Sequence, residues 1–261
     1  MPKDLSLANR LIGFLPSQER SIFLEHSELV ELKLAVVLAK AEQPTTHAYF
    51  PVDSFVSLSL PMIGAPDAGF TLVGSEGMFS ASTALGVTES AFTCTVQGAG
   101  RALRIRELEL KRLLLEDSCL RELMQHYVHV CLSRMALQAA CVGLHTIEQR
   151  LSRLLLMTRD RADSAELFLT QETLAVLLGV RRESVTRAAG ALQRSGLISY
   201  GRGYLMLLDE PGLETTACPC YQSDLIFYDQ AFSIPIKACQ RAEPGSRTAT
   251  PNTTSTRPAA S

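Results

Sequence analysis

Three charged residues lie close together in the chain: Arg182, Glu183 and Arg187. A guanidinium group can donate two parallel hydrogen bonds to O6 and N7 of guanine, and a carboxylate can accept one from N4 of cytosine. Presented on one exposed face, these side chains have the chemistry needed to distinguish base pairs in the major groove of DNA. The surrounding sequence must therefore supply an element that presents them.

A helix does so. On a helical wheel with about 100° per residue, one side of this segment is narrow and apolar. That side comprises Val185, Ala188, Ala189 and Leu192. The polar side comprises Arg182, Glu183, Thr186, Arg187, Gly190, Gln193 and Arg194. Because the apolar residues are mostly small, we expect the helix to pack closely on a neighbour and to leave its polar half free.

A second, shorter helix is predicted immediately before it. Thr170 is a good N-cap, and Glu172 places a carboxylate in the first turn, where the helix dipole favours it. Gly179 ends the helix where a positive φ is commonly required. The apolar stripe between them comprises Leu174, Leu177 and Leu178. The two segments together predict a helix-turn-helix.

The residues that follow predict a β-hairpin. Two strand-like runs, 197–200 and 204–208, flank the turn Gly201-Arg202-Gly203. A hairpin after a helix-turn-helix indicates a winged helix, with Arg202 at the wing tip facing a phosphate. Residues 179–207 contain five arginines and one acidic residue, a local charge of +4, whereas the whole chain carries −2. The alternative is an ordinary helical hairpin whose charged face is merely solvated.

The motifs LTQE, GVRRESVTR and GLISY resemble the DNA-binding domain of the Crp/Fnr (cyclic-AMP receptor protein and fumarate–nitrate regulator) family. The resemblance implies that Arg182, Glu183 and Arg187 read bases of double-stranded DNA. Backbone contacts are expected from Thr170, Arg181, Thr186 and Arg202. Arg181 is a departure, because relatives often have a Ser or Thr N-cap there; a DNA phosphate could satisfy this helix end instead.

The resemblance also implies an α+β fold. Its parts are an N-terminal β-roll (a cyclic-nucleotide-binding-like jelly roll), a long central dimerisation helix and a C-terminal winged helix-turn-helix. The expected boundaries are N-terminal helices at 1–28, the β-roll at 29–116, the long helix at 117–144, the DNA-binding domain at 145–221, and an extension at 222–261 that is disordered from about 243.

Cyclic nucleotides are not expected to bind. Relatives that bind them use a Gly-Glu pair for the ribose and an arginine for the phosphate. Here Ser80 and Ala81 replace the Gly-Glu pair, and Phe92 stands about where the arginine should be. A buried phosphate without a cation is costly, because the charge loses water without gaining a partner. The effector, if the β-roll binds one, is not indicated by the sequence.

The long helix can be capped by Asp117 or Ser118, and it carries two apolar stripes. The first comprises Leu120, Leu123, Tyr127, Val130, Leu137, Cys141 and Leu144, interrupted by Arg134; the second comprises Met124, Val128, Cys131, Met135 and Val142. One stripe can pack on the roll and the other on a second subunit, which predicts a homodimer. The alternative is a single helix with both stripes in one core.

Seven cysteines could indicate a metal or redox centre. None precedes Cys94, which argues against the N-terminal iron–sulfur cluster of some relatives. Cys218-Pro219-Cys220 is too short alone for a zinc site, although it could be a reactive or redox-linked pair. The histidines form no recognisable metal spacing with the cysteines. We therefore expect no cofactor and no metal.

The resemblance implies a bacterial transcription regulator, and the rest of the sequence agrees with that. No signal peptide is evident, and no apolar run approaches ~18 residues, so a soluble cytoplasmic protein without a membrane span is expected. No catalytic constellation emerges, which argues against an enzyme. RNA polymerase is a candidate further partner. The alternatives are a thiol- or small-ligand-responsive regulator and a winged-helix module that binds a protein.

Overall fold

The computed structural model describes residues 9–64 and 67–233. It begins with two short helices, α1 (Arg10–Gly13) and α2 (Ser17–Glu25), as predicted. Asn9 caps α1 through its side-chain oxygen, and Pro16 immediately precedes α2, where its fixed φ suits a helix start.

The next segment is an antiparallel β-roll, which confirms the predicted β-rich domain. Its strands are β1 (Glu28–Leu32), β2 (Val37–Ala39), β3 (Gln43–Pro44), β4 (His47–Pro51), β5 (Phe55–Leu60), β6 (Ala68–Val73), β7 (Glu89–Ser90), β8 (Thr93–Gly98) and β9 (Gly100–Arg106). They form sheets of order β1-β9-β4, β2-β8-β5-β6 and β3-β7. Val56, Val73 and Val96, on β5, β6 and β8, are buried together in the core of the roll.

Two helices follow the roll. The first, α3 (Glu107–Glu116), was not predicted from the sequence. The second, α4 (Ser118–Leu144), is the predicted long helix, and Asp117 is its N-cap because its carboxylate accepts hydrogen bonds from the backbone amides of Cys119 and Leu120. Both helices pack on the roll in a core that also contains α1 and α2.

The first predicted stripe of α4 is mostly buried, in part against the roll and in part, at Val130 and Cys141, against residues that come later in the chain. Its buried members are Leu120, Leu123, Tyr127, Val130 and Cys141. Leu144, in the last turn, is exposed. The second stripe is divided, with Met124 buried and Val142 exposed. The exposed face therefore lies slightly to one side of the predicted stripe.

By length and composition, α4 is apolar enough to cross a membrane. No apolar run of ~18 residues was expected from the sequence. Core helices of water-soluble proteins have the same property, and α4 packs on the roll and on a later helix. It also carries a nearly buried, ion-paired Arg134 near its middle.

The C-terminal part is built on α5 (Ile147–Ala162), which Thr146 caps in a reciprocal capping box with Gln149. Leu151, Leu154 and Leu155 of this helix are buried in the core, and Ile147 is half-buried. The remaining elements are β10 (Glu166–Phe168), α6 (Gln171–Leu178), α7 (Arg182–Arg194), β11 (Ile198–Gly201), β12 (Tyr204–Leu207) and α8 (Glu210–Thr216).

The last described element is α9 (Cys220–Ser233), which runs back along α4. The sequence predicted only a C-terminal extension from residue 222, without a helix. Within α9, Tyr228 packs with Val130 and Ala231, whereas Leu225 and Ile226 are exposed. The tail predicted to be disordered from about 243 lies outside the described residues.

Candidate nucleic-acid interface

The helix-turn-helix has the local features that the sequence predicts. Thr170 Oγ1 accepts a hydrogen bond from the backbone amide of Thr173 at 3.1 Å, so it caps α6. Gly179 ends the helix with φ at +63°, a conformation that costs glycine little. Arg150 of α5 donates to the carbonyl of Leu178, which supports the turn from below.

The apolar side of α7 is buried as predicted. Its buried residues are Val185, Ala188, Ala189 and Leu192. They pack in one core with α5 and α6. Small side chains at these positions let α7 lie close to its neighbours, so its opposite side projects from the domain.

The predicted base-reading residues lie on that projecting side. Arg182, Glu183 and Arg187 are all exposed. Among the residues that the structure describes, no ion pair involves any of the three. Glu183 and Arg187 lie four positions apart on α7 but form no ion pair with each other; Arg187 Nη2 lies 3.4 Å from Ser184 Oγ instead. The three charges are therefore available to a partner.

The start of α7 is suited to an anion. Arg181 is the N-cap residue, with extended backbone and no side-chain capping bond. The first backbone amides of a helix need acceptors, and together with the helix dipole they attract phosphate. Thr186, one turn further on, donates from Oγ1 to Gln171 Oε1 at 2.8 Å, which ties α7 to the start of α6.

The wing is a β-hairpin with a two-residue loop. β11 and β12 pair up to Gly201 and Tyr204, which leaves Arg202 and Gly203 as the loop. Both have positive φ, +53° and +86°, as in a type I′ turn. Arg202 is exposed at this tip. β10 adds to the free edge of β12, and the hydroxyl of Tyr200 donates to the carbonyl of Leu169 at 2.8 Å.

The positive charge of this region lies at the surface. Five arginines are exposed: Arg181, Arg182, Arg187, Arg194 and Arg202. The structure thus gathers the predicted base-reading and backbone-contacting residues on the helix-turn-helix and its wing, with Thr170 also exposed at the start of α6. A surface of this charge and shape can hold phosphates while a helix enters the groove.

A second candidate site is a cavity of 290 Å³ between the β-roll and α4. Its wall includes Phe70, Phe92, Ser80, Ala81 and Arg134. The ring centroids of Phe70 and Phe92 lie 4.5 Å apart. Apolar rings therefore lie about where relatives that bind cyclic nucleotides have the phosphate-binding arginine. Ser80 Oγ is turned to Thr83 Oγ1 and to buried Glu107.

A third cluster was missed by sequence reasoning. Cys141, His145, Cys218 and Cys220 place their sulfur and nitrogen atoms within 4.8 Å of one another. The histidines were expected to have no metal spacing with the cysteines. The sequence does contain two close pairs of potential ligands: Cys141 and His145 are four positions apart at a helix end, and Cys218 and Cys220 are two apart. No local pattern indicated that the two pairs meet.

Residues 149–216 match the family model of the Crp-like helix-turn-helix domain. No curated protein is significantly similar to the chain. Three solved structures share its fold. FixK2 from Bradyrhizobium japonicum is 14% identical with a TM-score of 0.62, over 74% of this chain and 98% of its own.

The other two give similar values. The c-di-GMP responsive global regulator CLP of Xanthomonas campestris is 17% identical with a TM-score of 0.58, over 74% of this chain and 100% of its own. A CRP-family transcriptional regulator from Thermus thermophilus is 18% identical with a TM-score of 0.60, over 72% of this chain and 96% of its own. The chain therefore carries a Crp-like helix-turn-helix domain at residues 149–216, on a fold that it shares with these structures.

Proposed function

We propose that the chain acts in the cytoplasm as a homodimer that binds a palindromic promoter site. Arg182, Glu183 and Arg187 read base edges in each half-site. The observation that carries this proposal is the set of three exposed side chains on α7 that no internal ion pair uses among the residues described.

Contacts to the DNA backbone are assigned to residues around that trio. Thr170 lies at the start of α6 and Arg181 at the uncapped start of α7. Thr186 lies one turn into α7, and Arg202 lies at the wing tip. Such contacts orient a recognition helix, whereas base contacts give it specificity.

The exposed face of α4 supports the homodimer. Leu132 and Val142 are 60% and 53% exposed. Ala136, Ala139 and Gly143 are exposed on the same helix and follow Leu132 at alternating spacings of four and three. An apolar heptad face with small residues lets an identical helix approach closely. Two-fold symmetry then places two copies of α7 toward the two half-sites.

The cavity supports independence from cyclic AMP and cyclic GMP. A cyclic phosphate buried there would need a cation. Phe92 is apolar, and the guanidinium of Arg134 is already paired with Asp224 and Glu76. Among described residues that line the cavity, no other side chain carries a positive charge.

The same cavity favours one alternative, regulation by a small apolar ligand. A volume of 290 Å³ with a largely apolar wall suits a compact molecule without formal charge. This alternative changes the signal and leaves the proposed DNA contacts as they are. In the other alternative, a winged-helix module that binds a protein, the exposed side of α7 would contact that protein in place of DNA. RNA polymerase is a further partner to test.

Selection of bound fragments from genomic DNA tests the proposal. We expect an inverted repeat whose half-sites are centred about 10 base pairs, or a multiple of that, apart. Recovery of single half-sites would contradict the dimer, and no enriched sequence would contradict base reading.

The dimer has a direct test with a matched control. Leu132→Glu on α4 is expected to give monomers by light scattering after size-exclusion chromatography. Leu108→Glu changes a leucine that is 81% exposed on α3, and it should leave a dimer. Equal masses for the wild type and both variants would exclude the α4 interface.

A further inference from the structure

Four potential metal ligands meet where the long helix joins the DNA-binding domain. The sulfurs of Cys141 and Cys218 lie 3.6 Å apart, although the residues are 77 positions apart in the chain. Cys220 Sγ lies 3.6 Å from His145 Nδ1. All four ligand atoms lie within 4.8 Å of one another.

These separations fit a tetrahedral ion. With Zn–S bonds of about 2.3 Å and Zn–N bonds of about 2.0–2.1 Å, two ligand atoms of a tetrahedron lie about 3.5–3.8 Å apart. The two closest contacts already have this length, and the longest needs to contract by about 1 Å. Rotation of a side chain about one bond moves a sulfur that far.

We propose that Cys141, His145, Cys218 and Cys220 form a tetrahedral site for Zn²⁺. Three thiolates and one imidazole are a ligand set that selects zinc over magnesium or calcium, which prefer oxygen. Four protein ligands close the coordination sphere, as in structural zinc sites. His145 binds through Nδ1.

The local backbone presents the ligands in two pairs. Cys141 lies in the last turn of α4, and His145 is the C-cap residue four positions later, with its amide donating to the carbonyl of Cys141 at 3.1 Å. Cys218 lies just before α9, and Cys220 is the first residue of that helix. The helix dipole favours a thiolate at this position.

Two arginines provide the compensating charge. Zinc with three thiolates carries a net charge of −1, which is costly to bury alone. Arg150 and Arg153 are 5% and 8% exposed, and both interact electrostatically with the cysteine cluster. Arg153 Nε is buried without a hydrogen-bond partner in the described part of the chain. A thiolate would provide that nitrogen with an acceptor.

Metal binding would replace protons. Burial raises the pKa of the thiols of Cys141, Cys218 and Cys220 above its ordinary value, so without an ion they carry their hydrogens. On binding, Zn²⁺ takes the place of three thiol protons, which go to the solvent. The oxidation state of sulfur does not change.

The site would join two segments that are distant in the chain. Cys141 and His145 end the long helix, and Cys218 and Cys220 come after residues 149–216, the part with the Crp-like model. An ion between them would hold the DNA-binding domain to α4 from both of its ends. We therefore expect the metal to stabilise the orientation of that domain.

Metal analysis of the full-length chain tests the site. The untagged protein, purified under reducing conditions, is expected to contain about one zinc per chain. Cys218→Ser should lose it. Cys131→Ser is the matched control, because Cys131 lies on α4 outside the cluster, and it should keep the metal. A zinc-free wild type that still takes up no zinc in the presence of reductant would overturn the proposal.

Cobalt spectroscopy distinguishes ligation from misfolding. The zinc-free wild type, titrated with Co²⁺, should show the ligand-field bands of a tetrahedral ion and a sulfur-to-cobalt charge-transfer band. Cys220→His keeps four ligands but one thiolate fewer, so it should bind Co²⁺ with a weaker charge-transfer band. An unchanged band in Cys220→His, or an octahedral spectrum in the wild type, would contradict the assigned ligands.

Discussion

Arg134 of the long helix forms an ion pair with Asp224 of α9, with Nε 2.9 Å from Oδ1. The side chains are only 11% and 6% exposed. Arg134 also lies 3.6 Å from Glu76 of the β-roll, and Arg161 of α5 lies 2.8 Å from the same carboxylate. Four segments that are distant in sequence are thus joined by one buried network.

Asp224→Ala is expected to destabilise the protein. Removing one partner of a buried ion pair costs about 3–5 kcal/mol, because it leaves the other charge without compensation. We expect the lower end, about 3 kcal/mol, since Glu76 still faces Arg134. Urea unfolding measures the change. Asp229→Ala, on the exposed side of α9, is the control and should change the unfolding free energy little. An equal loss of unfolding free energy in both variants would contradict a specific contribution from the Arg134–Asp224 pair.

Stability should also fall in acid because of Glu76. Burial acts to raise the pKa of its carboxyl, but the charges of Arg161 and Arg134 outweigh burial and hold the pKa below its ordinary value of 4.5. A carboxyl whose pKa is lowered by folding stabilises the protein above its unfolded-state pKa. That contribution is fully present near neutrality and is lost as the pH falls below 4.5 through the lower pKa of the folded state.

Glu76→Gln checks the assignment. The variant should be less stable than the wild type at neutral pH, and the difference between them should shrink as the pH falls. Unfolding free energies measured across this pH range provide the comparison. A constant difference at every pH would mean that the charge of Glu76 contributes nothing.

Loss of a base-reading arginine should weaken binding and relax specificity. Arg182→Ala or Arg187→Ala is expected to cost about 1–3 kcal/mol of binding free energy. The loss should be confined to sites with the preferred base at one position of each half-site. Gel-shift titrations on the selected site and on single-base variants measure it. Gln193→Ala, on the same polar side of α7, is a neutral control; unchanged binding by both arginine variants would remove the proposed role of α7.

Arg202→Ala should act differently, because a wing-tip contact to phosphate carries no sequence information. We expect a uniform loss of affinity across DNA sequences. The slope of log K against log salt concentration should become shallower by roughly 1, the effect of one lost phosphate contact. Binding measured at several salt concentrations gives the slope, and a change in base preference would argue instead for a base contact.

The helix-turn-helix could be predicted because its signals are local. Thr170, Gly179 and the spacing from Val185 to Leu192 each act within a few residues, and the structure places them as expected. Arg134 was visible in the sequence only as an interruption of an apolar stripe. Its partners, Glu76 and Asp224, are far away in the chain, and no local pattern indicates them.

The cysteine cluster and the length of α9 could not be predicted either, because both depend on residues that are distant in the chain. Cys141 and Cys218 come together only because α9 returns along α4, and the apolar residues 225–228 did not by themselves predict a helix of that length. Long-range packing, with no short-range signal, decided both. The exposed face of α4 was partly predictable, because a heptad pattern shows that a stripe exists but not which neighbour covers it.

The position of Arg134 links the cavity to α9. Arg134 lines the cavity, and its guanidinium pairs with Asp224 on α9, the helix that follows the DNA-binding domain in the chain. A molecule that enters the cavity and displaces this group would loosen α9 without touching α6 or α7. Occupancy of the cavity and the position of α7 would then be coupled through one side chain, and an uncharged residue in place of Arg134 would remove that coupling.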